Sequence, residues 1–207
     1  MTNINKTISP ENFCTQFDAC KDGKDFAAQY KTMAEVWKNC PDPKWMFWIC
    51  SRLNIKLDEK AIRLFVCYCV RYTPIPDDKK TGKKRKVWDL LVDKRSKEAV
   101  RVAERFTNGK ATEKERINTA YTAYAAYAAY AAYAADTAAT AYAAYAAYTA
   151  AAYTATAYTA YTAYASYAAA SAAASAASDA ASDAVSKKKA MLFQANRLRK
   201  IIPNPFL

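Results

Sequence analysis

Apolar positions recur with helical spacing through roughly the first half of the chain. Ser9-Pro10-Glu11 reads as an N-cap followed by a first-turn proline, opening a short helix through Phe13 and Phe17. Phe26, Tyr30, Met33 and Trp37 follow at steps of four, three and four, which predicts one apolar stripe on a helix that begins after Gly23. Asp42-Pro43 repeats the capping logic ahead of a third helix, with Trp45, Trp48, Ile49 and Leu53 on a shared face. Asp58 is expected to cap a fourth, running through Ile62, Phe65, Val66, Cys69 and Val70. Residues 73 to 86 break the pattern: Pro74, Pro76, Gly82 and a cluster of charges predict a loop. Helical spacing resumes at Trp88, Leu90 and Leu91 and continues to Phe106, where Asn108-Gly109 supplies a C-terminal stop.

A different pattern starts at Thr112-Glu113-Lys114-Glu115. This is a capping box, in which the threonine hydroxyl and the glutamate three residues on each satisfy an exposed backbone amide. Beyond it alanine dominates, and no glycine or proline occurs from Lys110 to Ile202, so helix is the default conformation. Tyr121, Tyr124, Tyr127, Tyr130 and Tyr133 are three apart; the register continues through Asp136 and Ala139 to Tyr142, Tyr145 and Tyr148, and resumes at Tyr158, Tyr161, Tyr164 and Tyr167. In an α-helix a step of three falls about 60° short of a full turn, so the rings would spiral around the rod. In a 3₁₀ helix they would form one column, but 3₁₀ runs rarely exceed about four residues. Both geometries stay open. A straight α-helix over residues 113 to 200 would be about 130 Å long, and so much exposed tyrosine predicts that the tract folds back, self-associates or meets a partner. A tolerated low-complexity spacer is the plainer alternative.

The expected class is therefore all-α: a basic helical head over residues 1–110, an Ala/Tyr triplet-repeat tract over 111–186, and a basic amphipathic segment over 187–207. In that last segment Met191, Leu192, Phe193, Leu198, Ile201 and Ile202 alternate with Arg197, Arg199 and Lys200 before Pro203. It is expected to dock on the head, to cap the tract or to touch an anionic surface.

Charge divides along the same lines. Of the net +12, residues 1–116 carry +9 and residues 187–207 carry +6, while residues 117–186 hold three acids and no lysine or arginine. A basic balance favours anionic partners, nucleic acid or nucleotides among them, and equally serves solubility. The densest run, Lys83, Lys84, Arg85 and Lys86, is a candidate phosphate clamp or a solvated loop. The first residues show no secretory pattern and no stretch has the character of a membrane span, so a cytoplasmic protein without membrane partners is expected. Cys14, Cys20, Cys40, Cys50, Cys67 and Cys69 include no Cys-x-x-Cys pair, and the chain has no histidine. The cysteines read as small apolar residues in a reducing compartment, with no metal site and no cofactor. Without a histidine base, a phosphate-cradling glycine loop or a nucleophile elbow, no catalytic residue is assigned and the chain is not expected to be an enzyme.

Several runs in the head nonetheless form a recognisable set: Cys-Lys-Asp-Gly at 20–23, Met-Ala-Glu-Val-Trp at 33–37, Cys-Pro-Asp-Pro-Lys-Trp at 40–45, Arg-Leu-Phe at 63–65, Asp-Lys-Arg-Ser at 93–96 and Ala-Glu-Arg-Phe-Thr-Asn-Gly at 103–109. With the alanine-rich repeats behind them, they resemble an uncharacterised phage-encoded family with a helical head, some members of which are described as immunity proteins. The strict tyrosine triplets depart from the mixed punctuation of that family. The resemblance implies a non-enzymatic protein of the bacterial host's cytoplasm that inhibits a host-defence or toxin component by sequestration. Two alternatives stand beside it: self-assembly through the Ala/Tyr tract, and nucleic-acid or nucleotide binding through the basic segments with tyrosine stacking. The candidate binding residues are the twelve tyrosines named above, from Tyr121 to Tyr167, together with Lys83, Lys84, Arg85 and Lys86.

Overall fold

The computed structural model describes residues 8–78, 80–121 and 184–207, and these are predominantly helical. The elements are α1 (Pro10–Gln16), α2 (Lys21–Ala27), α3 (Met33–Asn39), α4 (Pro43–Arg52), α5 (Glu59–Tyr72), β1 (Pro74–Ile75), β2 (Arg85–Lys86), α6 (Val87–Leu90), α7 (Lys94–Thr107), α8 from residue 113 to the end of that described stretch at 121, and α9 (Ala184–Arg199).

Local capping sets these boundaries. Ser9 accepts from the Asn12 amide, Asp42 from Lys44 and Asp58 from Lys60, as the sequence leads one to expect. Thr112 and Glu115 form their reciprocal pair, with the Thr112 amide donating to Glu115 Oε2 at 2.7 Å and the Glu115 amide donating to Thr112 Oγ1 at 3.2 Å.

Three expectations are corrected. The stripe Phe26 to Trp37 belongs to two helices: α2 includes Gly23 rather than following it, and a second capping box, Thr32 with Glu35, restarts the chain as α3. The segment from Trp88 to Phe106 is likewise divided, because Asp93 caps α7 separately through the Arg95 amide. Residues 73–86 are not all loop: Pro74 and Ile75 pair antiparallel with Lys86 and Arg85.

The core is one cluster. Phe13, Trp37, Met46, Ile62, Phe65, Val66, Val87, Leu91 and Val100 are almost fully buried and pack with Ala190, Ala195, Leu198, Ile202 and Phe206 from beyond the tract. Arg199 donates from Nε to the Trp37 carbonyl at 3.1 Å and also bonds the Cys40 carbonyl. Asn204 donates to the Ala34 carbonyl at 3.0 Å. The Phe206 ring meets Phe13 edge-on at 5.8 Å. Buried Gln194 donates to buried Thr73 at 3.1 Å. The C-terminal segment thus docks on the head and completes its core. Among the described residues no helix is long and apolar enough to cross a membrane.

Buried groups of two kinds, a carboxyl and several thiols, give testable chemistry. Asp42 is mostly shielded from water, and burial holds its carboxyl above the usual value against the lowering effect of the Lys44 amide. The folded state therefore binds this proton more tightly than the unfolded chain does. The resulting stability is full in acid and is lost as pH rises from the ordinary carboxylate value through the folded one. Asp42→Asn keeps the cap and removes this penalty. Melts at neutral pH are expected to place it within about 1 kcal/mol of wild type, whereas Asp42→Ala costs about 0.5–2 kcal/mol.

Burial also pushes the Cys40 and Cys50 thiols up to about 12 and raises those of Cys14, Cys67 and Cys69, while Cys20 alone among the six is exposed. Iodoacetamide at neutral pH is expected to label the native chain at Cys20 first, and all six after denaturation. Peptide mass mapping over a time course reads this directly.

Candidate functional site

The described residues gather cations and aromatic rings on one face of the head. Tyr68, Arg71 and Tyr72 occupy one side of the last turns of α5, spaced three and one apart. Trp88 enters from α6, immediately after the short β-ladder fixes Lys86, and α7 presents Lys97 and Arg101, four residues apart.

The half-buried Trp88 indole is the hub. The Arg71 guanidinium lies 4.2 Å from a Trp88 ring centroid, with Lys97 at 5.7 Å and Arg101 at 5.9 Å. Glu104 holds Arg71 in place through two bonds of 2.5 and 2.6 Å, and these keep the guanidinium pKa above its ordinary value. Lys86 sits 5.1 Å from the exposed Tyr72 ring, and Tyr72 packs on Tyr68 at 4.8 Å. The C-terminal helix extends the strip: Phe193 stacks on Tyr68 at 5.5 Å with an interplanar angle of 11°, and Arg197 lies 4.5 Å over the same ring. Cations set against aromatic faces, several of them reachable from solvent, can hold anions electrostatically while the rings stack on planar groups.

The four residues of the basic run occupy different settings. Lys83 and Lys84 are exposed, and Lys84 pairs with Asp77 at 2.5 Å. Arg85 is half-buried in the β-ladder, and Lys86 alone of the four lies on a tyrosine ring of this face. Tyr121 is 72% exposed at the end of a described stretch, whereas Tyr124, Tyr127, Tyr130, Tyr133, Tyr142, Tyr145, Tyr148, Tyr158, Tyr161, Tyr164 and Tyr167 lie outside the described residues. Of the residues on this face, Arg197 belongs to the C-terminal basic segment already considered for anion binding, whereas Arg71, Trp88, Lys97 and Arg101 were not among the candidates. The one local sign was the spacing of Lys97 and Arg101 shortly after an isolated tryptophan.

Both ends of the tract are fixed to the head. At the entry, Arg116 is buried over the Phe106 ring at 5.5 Å and pairs with Glu113 at 2.6 Å, while Arg105 reaches Glu115 at 3.2 Å. At the return, α9 runs into the core through Ala190, Ala195 and Leu198. Comparison with protein-family models, curated proteins and solved structures finds no match for the chain.

Proposed function

We propose that this is a non-enzymatic binding protein whose head holds both ends of the Ala/Tyr tract and presents the tract to a protein partner, which it inhibits by sequestration. The supporting observation is the docking of α9 and residues 200–207 into the head core, together with the Arg116–Phe106 contact at the entry. A segment fastened at each end loses less freedom on binding than a free tail does, which favours a tight stoichiometric complex. The phage resemblance supplies the partner class, a component of host defence or a toxin, in the bacterial cytoplasm.

The test is light scattering across a concentration series, followed by capture from host lysate with the whole chain and with a variant in which the twelve candidate tyrosines are serine. A fixed mass and a partner retained by the wild type alone support sequestration. A mass that climbs with concentration, with no partner captured, favours self-assembly through the tract and overturns it.

A second reading rests on a separate observation, the cations ringing Trp88 and Tyr72. On this reading the head binds a polyanion, single-stranded nucleic acid in particular, with phosphates on Lys86, Lys97 and Arg101 and a base against an exposed ring.

A further inference from the structure

The first four helices do not close fully on one another. Between α1, α2, α3 and α4 lies a partly open cavity of about 350 Å³, walled by Phe13, Phe26, Met33, Trp45, Trp48 and Ile49. Protein interiors otherwise pack as densely as organic crystals, and this volume falls within the usual range for small-molecule sites, about 300–1,000 Å³. The same helices pack tightly elsewhere: Trp37 is 2% exposed and Met46 is fully buried.

Two observations point to an occupant. Gly23 lies inside α2 with no left-handed backbone requirement, although alanine is the better helix former at such a position. A Cβ built there would meet only Cys20 Sγ at 3.4 Å and Ala19 Cβ at 3.9 Å, and both of those residues line the cavity. The glycine therefore keeps open a space that a side chain would enter. The second observation is the aromatic wall. Trp45 and Trp48 stay half-exposed along the cavity while Trp37 is buried at 2%. Phe26 packs against Trp45 at 5.5 Å and Phe13 meets Trp48 edge-on at 5.9 Å, so the indoles are braced in position. Braced rings around a glycine-floored concavity suit a flat apolar guest, which gains edge-to-face and offset-stacked contacts that an aliphatic guest lacks.

We propose that this cavity is a binding site for a compact neutral aromatic molecule of one or two rings. It lies among α1 to α4, on other helices than those that carry Trp88 and its cations, and it stands whether or not that face takes a partner.

The full chain, ¹⁵N-labelled at tryptophan, is titrated with 2-naphthol and with cyclohexanol. The expected result is a saturable one-to-one shift of the Trp45 and Trp48 indole N–H signals with 2-naphthol while Trp88 stays still, and binding of cyclohexanol at least tenfold weaker. Gly23→Leu fills the space and is expected to weaken 2-naphthol at least tenfold; Ala27→Met, on another lining residue, does the same should the first variant fail to fold. No saturable shift in the wild type, a shift at Trp88 alone, cyclohexanol bound as tightly as 2-naphthol, or unchanged affinity in a folded filled variant would each overturn the assignment.

Discussion

Replacing Leu198 with alanine is expected to lower the unfolding free energy by about 2–5 kcal/mol, the range for removing a fully buried leucine side chain from a packed core. Leu198 is fully buried in the same cluster as Phe13, Trp37 and Met46. The next residue, Arg199, holds the carbonyls of Trp37 and Cys40, so the surroundings are tied down and cannot easily collapse into the space left behind. Leu192, in the same helix but 45% exposed, provides the control: Leu192→Ala is expected within about 0.5 kcal/mol of wild type, as for surface substitutions generally. Urea unfolding followed by circular dichroism measures both. Equal small losses would mean that α9 lies on the head without belonging to its core.

The second large effect is expected at the Trp88 face. Lys97→Glu with Arg101→Glu should weaken binding of a fluorescent single-stranded oligonucleotide at least tenfold in low salt, because each change removes a cation and adds a repulsive charge. Loss of two phosphate contacts should also flatten the plot of log affinity against log salt by about 1.4, at about 0.7 per contact for single strands. Tyr72→Ala, at the exposed ring of the face, separates stacking from charge: it should weaken binding by about 1–3 kcal/mol per lost base contact while leaving the slope in place. Lys84→Glu serves as the comparison, since Lys84 already faces Asp77 and stands apart from the aromatic strip. Anisotropy titrations at four salt concentrations read all of these. Indifference of the oligonucleotide to the Lys97 and Arg101 changes would remove the polyanion reading.

Capping chemistry was the most legible part of the sequence, because a cap is a contact between residues two to four apart. Ser9, Asp42, Asp58 and Thr112 each mark a helix start that the structure contains. Apolar spacing was less discriminating. Phe26, Tyr30, Met33 and Trp37 keep helical intervals across the restart at Thr32, since two consecutive helices packing on one core can preserve a stripe that one helix would also give. The local cue was Thr32 with Glu35, a cap sequence inside the stripe. The two-residue ladder of Pro74–Ile75 with Arg85–Lys86 is too short to leave a period-two pattern.

The basic aromatic face was illegible for a different reason. It joins α5, α6, α7 and α9, and its central pair, Arg71 with Glu104, spans 33 positions. Charge density in the sequence pointed instead to Lys83–Lys86, where only Lys86 lies on a ring of the face. Docking of the C-terminal segment on the head was one of three expectations its amphipathic character allowed, and the burial of its inner side, Ala190, Ala195 and Leu198, depends on contacts with α3, α4 and α5 that no local window contains.

Whether the head and α9 form one cooperative unit is the point on which the binding proposal turns, and native-state hydrogen exchange of the intact chain tests it most directly. The expected result is that the amides of Leu198 and Ile202 exchange with the same free energy as those of Phe65 and Val66 in α5, all opening only on global unfolding. Exchange at Leu198 and Ile202 several kcal/mol easier than in α5 would contradict it, leaving the tract a tail fixed at one end.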